Sequence, residues 1–230
     1  MTQLFQDSVF FGVLISLGAY GLGLLLKMKT GWGFMNPLLI SIILVIVALL
    51  VTGVDYKTYS AGANCISYLL TPATICLAVP LYQQVELLKK NYRAVLIGIL
   101  SGVLASLCSV LLLALLLHFD HADYVTFLPK SITTAIGIGV SEELGGHVSV
   151  SVVVIIVTGV LGNIFAEKFL QLLSIKEPIA KGIAIGCSAH ALGTAKAMEM
   201  GTIEGAMSSL SIVVCGVMTV IGASLFAMIM

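Results

Sequence analysis

The feature that most constrains this chain is a series of unbroken apolar runs, most of them long enough to cross a bilayer. They cover about residues 8–26, 37–52, 60–82, 92–117, 148–170 and 204–230. A membrane-spanning helix needs roughly 20 apolar residues. Only 10% of the residues are charged and 59% are hydrophobic, whereas soluble domains carry about 25% charged residues. Too few charges are left to build a water-facing surface. Strands of a membrane barrel alternate apolar and polar over about 10 residues, and these runs do not alternate. The expected fold is therefore an all-α polytopic integral membrane protein. The 11 basic and 11 acidic residues cancel, which argues against a nucleic-acid partner. No Lys or Arg lies between Met1 and Asp7, so the first run is expected to stay rather than be cleaved as a leader.

Two shorter stretches interrupt the pattern. Residues 127–146 and 178–197 are apolar but studded with hydroxyls, glycines and ionisable groups. They are expected to be helices that break, or enter and leave on one face. Basic residues support this. Lys27 and Lys29 end the first run, and Lys89, Lys90 and Arg93 lie between the third and fourth. The positive-inside rule makes that side cytoplasmic and puts the N-terminus outside. Lys168, Lys176 and Lys181 fall on the same side only if residues 127–146 re-enter.

An internal echo runs through the chain. Gly102, Gly159 and Gly216 sit in similar apolar sequences 57 residues apart, and Pro72 and Pro129 share that spacing. The chain reads as one transmembrane domain, residues 1–230, with repeats at about 60–117, 127–173 and 178–230. Repeats joined at broken helices are a common plan of secondary transporters.

Two clusters could carry chemistry. Pro129, Lys130, Ser131, Thr133 and Thr134 open the first short stretch. Proline suits the first turn of a helix, and a helix N-terminus with a lysine beside it attracts anions. A small carboxylate fits such a set, and an ionisable group at membrane depth is costly enough to suggest a role. A lysine that snorkels to the interface is the plain alternative. The second cluster holds Ser188, His190, Thr194 and Lys196 among glycines and alanines. On one helix His190 and Thr194 share a face with Gly186. The histidine could bind substrate or carry a proton near neutral pH, or merely bridge two helices. Glu142, Lys196, Asn64 and Pro72 are, with His190, candidates for coupling or gating, Pro72 by breaking its helix. The five cysteines show no metal-ligand spacing and read as small buried hydrophobes. No metal or other cofactor is expected. There is no HExxH or GxSxG, and Ser188 and His190, two apart, face different ways, so an enzyme is not expected.

These motifs together resemble the LrgB/CidB family. The resemblance rests on Pro129–Thr134 and Ser188–Lys196. It also rests on Asn36-Pro37-Leu38-Leu39, Thr52-Gly53 with Tyr56, Pro80-Leu81-Tyr82 and Glu204-Gly205-Ala206. It spans nearly the whole chain and departs at Ala135, where the family usually has proline. It implies a multi-pass protein of a bacterial inner membrane, working with a small LrgA/CidA-like membrane partner and itself a homo-oligomer. Two functions come with it. One is secondary transport of a small monocarboxylate such as pyruvate, glycolate, lactate or acetate. The other is antiholin-like or holin-like modulation of murein hydrolase export and autolysis. The residues favour transport, because a lesion-forming protein has no need of Lys130, His190 and hydroxyls on broken helices.

Overall fold

The computed structural model describes residues 10–30, 36–76 and 78–230. All regular structure among them is helical. The chain divides into two compact units, Met1–Cys76 and Leu77–Met230.

The first unit contains α1 (Phe11–Thr30), α2 (Pro37–Thr52), α3 (Tyr56–Ser67) and α4 (Leu70–Cys76). The Asn36 side chain accepts from the N–H groups of Leu38 and Leu39, and Pro37 occupies the first helical turn. This start matches the Asn-Pro dipeptide, since proline lacks only an N–H that would go unused there. Gly53, at φ 67°, ends α2 in the left-handed conformation. Gly12 of α1 lies against the backbone of Tyr59 and Ala63 in α3, and the Ser16 and Tyr59 hydroxyls meet at 2.9 Å.

The third apolar run does not form one helix. It is divided into α3, α4 and α5 (Ala78–Gln83). The break comes at Tyr68–Leu69, before Pro72, which lies inside the first turn of α4. A proline is tolerated there because its missing donor costs nothing.

The second unit continues with α6 (Val85–Leu117), α7 (His121–Phe127), α8 (Thr134–Glu143), α9 (Val148–Leu172), α10 (Pro178–Met200) and α11 (Thr202–Ala227). Among the described residues four helices are long and apolar enough to cross a membrane: α1, α6, α9 and α11. The shorter α2 is also apolar. Val95, Ile99, Val103, Leu107, Val110 and Ala114 form one buried stripe along α6. Its spacing of three and four residues is that of a single helix face. The other side of α6 exposes Ile97, Leu104, Leu112 and Leu116, as a lipid-facing helix must.

Two helical hairpins lie among these spans. In the first, α7 and α8 are its arms and residues 128–133 its tip. Ser151 of α9 hydrogen-bonds both the Thr126 carbonyl, at 2.8 Å, and the Ser141 hydroxyl, at 2.7 Å. Residues 126 and 141 would lie about 22 Å apart along an unbroken helix, so the chain has doubled back. In the second, α10 itself folds over at His190, whose φ of 40° and ψ of −136° are not helical. A Cβ on Gly193 would come within 3.2 Å of the Ile185 carbonyl oxygen, eight residues earlier. Likewise the N-terminal turn of α11 touches both arms. Gly182 adjoins Glu204, and Gly205 adjoins Met198.

The hairpins stand at opposite ends of α9. The open end of the first lies at the start of α9, where His147 N–H donates to Thr126 Oγ1 at 2.7 Å and the His147 ring faces Asp123 at 3.8 Å. The open end of the second lies at the finish of α9, where Lys196 pairs with Glu167 at 3.2 Å. Small residues make this packing possible. Gly182 and Gly186 let α10 approach the backbone of Glu204 and Ser208 so closely that a Cβ would fall 2.5–2.6 Å from their carbonyl oxygens.

Candidate functional site

A cavity of about 700 Å3 lies in the second unit between α6, the tip of the first hairpin and the outer arm of α10. Lys130 and Ser131 line it from the tip. Ser101, Ser106 and Ser109 line it from α6, and Cys187 and Ser188 from α10. Lys130 is the one basic group among the described lining residues, with Glu177 the one acid.

The tip owes its form to two tight turns. Lys130 N–H donates to the Phe127 carbonyl at 3.1 Å, and Ile132 N–H to the Pro129 carbonyl at 3.3 Å. Leu128, Pro129 and Ile132 are almost fully buried, which fixes the tip while Lys130 reaches the cavity. From sequence, a helix is expected to begin at Pro129. The structure instead begins it at Thr134, after the extended Thr133 (φ −66°, ψ 146°). The first turn uses the Lys130 donor that a helix start would have left free, so Pro129 serves the turn.

Around the cavity the polar groups form a directed set. Ser106 Oγ donates to Ser131 Oγ at 3.2 Å, and Lys130 Nζ donates to the same oxygen at 3.2 Å. With two donors on its oxygen, Ser131 keeps its own proton to offer. Lys130 has three donors and spends one of them on Ser131. By contrast Ser101, Ser109 and Ser188 donate to carbonyls of their own helices at 2.7–2.8 Å, so their oxygens are left as acceptors. A small anion could therefore draw charge-assisted bonds from Lys130 and a neutral bond from Ser131.

The other candidates from sequence lie elsewhere. His190 is buried at the fold of α10, and its Nε2–H donates to the Ile155 carbonyl at 3.0 Å. Its ring fills the space left by Gly159, where a Cβ would lie 2.6 Å away. Thr194 Oγ1 donates to the His190 carbonyl at 2.9 Å and meets the Ser208 hydroxyl at 2.7 Å. Asn163 Nδ2 donates to the Leu192 carbonyl at 2.6 Å. These contacts hold the fold in α10 and do not line the cavity. The expected shared face of Gly186, His190 and Thr194 is cut at His190, because the helix reverses there. Thr133 and Thr134 are half-buried at the start of α8, off the cavity wall. Lys196 lies at the open end of the second hairpin between Glu167 and Glu199. Glu142 is exposed, and Asn64 and Pro72 are exposed in the first unit.

Sequence reasoning missed the α6 wall. Asn91, Ala94, Gly98, Ser101, Ala105 and Ser109 follow one another every three or four residues. That stripe of small and polar residues on an otherwise apolar helix was the available signal.

The chain matches the LrgB-like family over residues 16–229. It belongs to the LrgB family. A relative named antiholin-like protein LrgB, from Bacillus subtilis (strain 168), is 39% identical over 220 residues, covering 95% of each chain. Proteins of the same name from Bacillus cereus (strain B4264) and Bacillus anthracis (strain CDC 684 / NRRL 3495) are 39% identical over 218 residues, 94% of this chain and 95% of theirs. No solved structure matches significantly. Within the LrgB family this chain is thus similar along nearly its full length to proteins named antiholin-like, and the cavity, both hairpins and their supporting helices all fall inside the matched residues.

Proposed function

We propose that this LrgB-family protein acts in a bacterial inner membrane as an antiholin-like modulator of autolysis, together with a small LrgA/CidA-like membrane partner. The observation that carries this reading is 39% identity over 95% of both chains to a protein named antiholin-like. The residues alone ranked transport first; the full-length similarity reverses that order. The test is a deletion strain. Loss of the protein should raise the autolysis rate, and restoring it should lower the rate again. An unchanged rate in the deletion strain would remove the reading.

A second reading has its own observation, the cavity with Lys130 and Ser131 as inward donors. It is transport of a small monocarboxylate of the pyruvate, glycolate, lactate or acetate class. Lys130 would hold the carboxylate, and Ser131 would bind a further oxygen with Ser188 at the rim. Pro129, Thr133 and Thr134 would set the tip, and His190 and Thr194 would hold the opposing hairpin in place. Proteoliposomes containing the protein should then take up labelled carboxylate while retaining a trapped dye. Equal loss of dye and carboxylate would exclude selective transport. The two readings are compatible if carboxylate flux is the means by which autolysis is modulated, and a Lys130→Ala protein that still restores normal autolysis would separate them.

A further inference from the structure

At the open end of the second hairpin lies a separate polar pocket of about 530 Å3. It is bounded by the last turns of α9, the loop to α10, both arms of α10 and the first turn of α11. Its charged groups sort into two sets. Lys196 sits between Glu167, at 3.2 Å, and Glu199, at 3.3 Å, and that set is complete. Lys176, Lys181 and Glu204 also line the pocket, and their side chains make no hydrogen bond or ion pair among the described residues.

Glu204 is the distinctive member of the second set. It is only 8% exposed, and its carboxylate lies against Gly201 and faces the pocket without a protein donor among the described residues. What is missing at Glu204 is a cation with N–H groups. Lys176 is exposed and Lys181 half-buried on the pocket wall, where both are open to an anion. One ligand carrying both charges would complete the pocket.

The surroundings say what kind of ligand. An apolar groove of about 540 Å3 runs along the outer faces of α9 and α10, past Leu161, Phe165, Phe169, Leu173 and Ile185. Leu170 and Ile175 line both the groove and the pocket, so the two are adjacent. A polar chamber beside an apolar channel matches a head group joined to an acyl chain. The geometry points to a binding site for one phospholipid whose head group bears a phosphate and a primary ammonium. The phosphate lies at Lys176 and Lys181, the ammonium at Glu204, and an acyl chain fills the groove. A glycerol head group gives Glu204 no cation, and a quaternary ammonium gives it no N–H donor.

The full-length protein is placed in nanodiscs of equal parts phosphatidylethanolamine, phosphatidylglycerol and phosphatidylcholine, and the lipid kept after release is identified by native mass spectrometry. Phosphatidylethanolamine should be retained about tenfold over either competitor, as expected for one charge-assisted hydrogen bond. Glu204→Gln should abolish that preference, and Lys176→Ala with Lys181→Ala should reduce retention of every phospholipid. Equal retention of the three lipids by the unaltered protein would overturn the site. So would an unchanged preference in Glu204→Gln, or a lipid-free dimer with the groove covered by a second copy. If Glu204→Gln fails to fold, the lysine pair decides, and undiminished retention there is the overturning result. Neither lysis nor flux enters the readout, so the outcome is independent of the role proposed above.

Discussion

At the scale of single residues, Lys130 and His190 illustrate two uses of a polar side chain in an apolar setting. Lys130 rises from a buried turn into a cavity with most of its donors unspent. A charge-assisted hydrogen bond contributes about 1.5–3 kcal/mol, so on the transport reading Lys130→Ala should weaken carboxylate binding by roughly ten- to a hundredfold. Lys130→Arg should lose less, since it keeps the charge but replaces a compact ammonium with a planar fork. Uptake by the two variants at matched expression checks both, and normal uptake by the alanine variant would show that the lysine does not hold substrate. His190 instead spends its side chain on the fold. Its φ of 40° is one that a residue with a Cβ rarely adopts. In an ordinary helix alanine is favoured over glycine by about 1 kcal/mol. At position 190 the order should invert: both substitutions lose the bond to Ile155, but only glycine relieves the backbone. Thermal unfolding should therefore place His190→Gly above His190→Ala.

At the scale of elements, the long spans were legible from sequence and the hairpin arms were not. The runs at 92–117, 148–170 and 204–230 became α6, α9 and α11 because continuous apolar sequence admits little else in a bilayer. Residues 127–146 and 178–197 announced themselves as broken, through Pro129 and the mixture of glycine and hydroxyl residues. Where each would fold could not be read, because reversal depends on partners distant in sequence. Ser151 ties Thr126 to Ser141, and Ile155 meets His190. For the same reason Lys130, Ser131 and Ser188 were correctly seen as polar, while the third wall, from α6, emerged only in three dimensions. Ser151→Ala should loosen the first hairpin by about 1–3 kcal/mol, the usual cost of stranding a buried polar group. Hydrogen exchange at residues 141–147 should rise while α6 stays protected. Gly186→Leu should do more harm, since its Cβ alone would fall 2.6 Å from the Ser208 carbonyl oxygen. Loss of the folded protein on purification is the expected outcome.

At the scale of the whole second unit, the two hairpins approach α9 from its two ends, and this sets a topological prediction. Asp120, Asp123 and Glu142 gather near the open end of the first hairpin, and Lys168, Lys176 and Lys181 near that of the second. By the positive-inside rule the second end is cytoplasmic. With Cys65, Cys76 and Cys108, which are exposed, first replaced by serine, a cysteine placed at 123 should react with an impermeant maleimide from outside the cell. One placed at 181 should react only after the membrane is opened. Labelling of both from the same side would refute opposed hairpins.

The doubled-back α10 also dictates an order of assembly. Its arms are too polar and too short to lodge in the bilayer as an independent span, and its turn finds partners on both neighbours. Asn163 and Ile155 come from the helix made before it, and Ser208 from the helix made after it. While the chain is still being synthesised, α9 is already available but Ser208 is not. The hairpin can settle only once α11 has left the ribosome and entered the membrane beside it. The last helix of the chain thus acts as the closing member of an arch, and a nascent chain that stops near Gly201 should display residues 178–200 to the cytoplasm, open to proteases that cannot reach them in the finished protein.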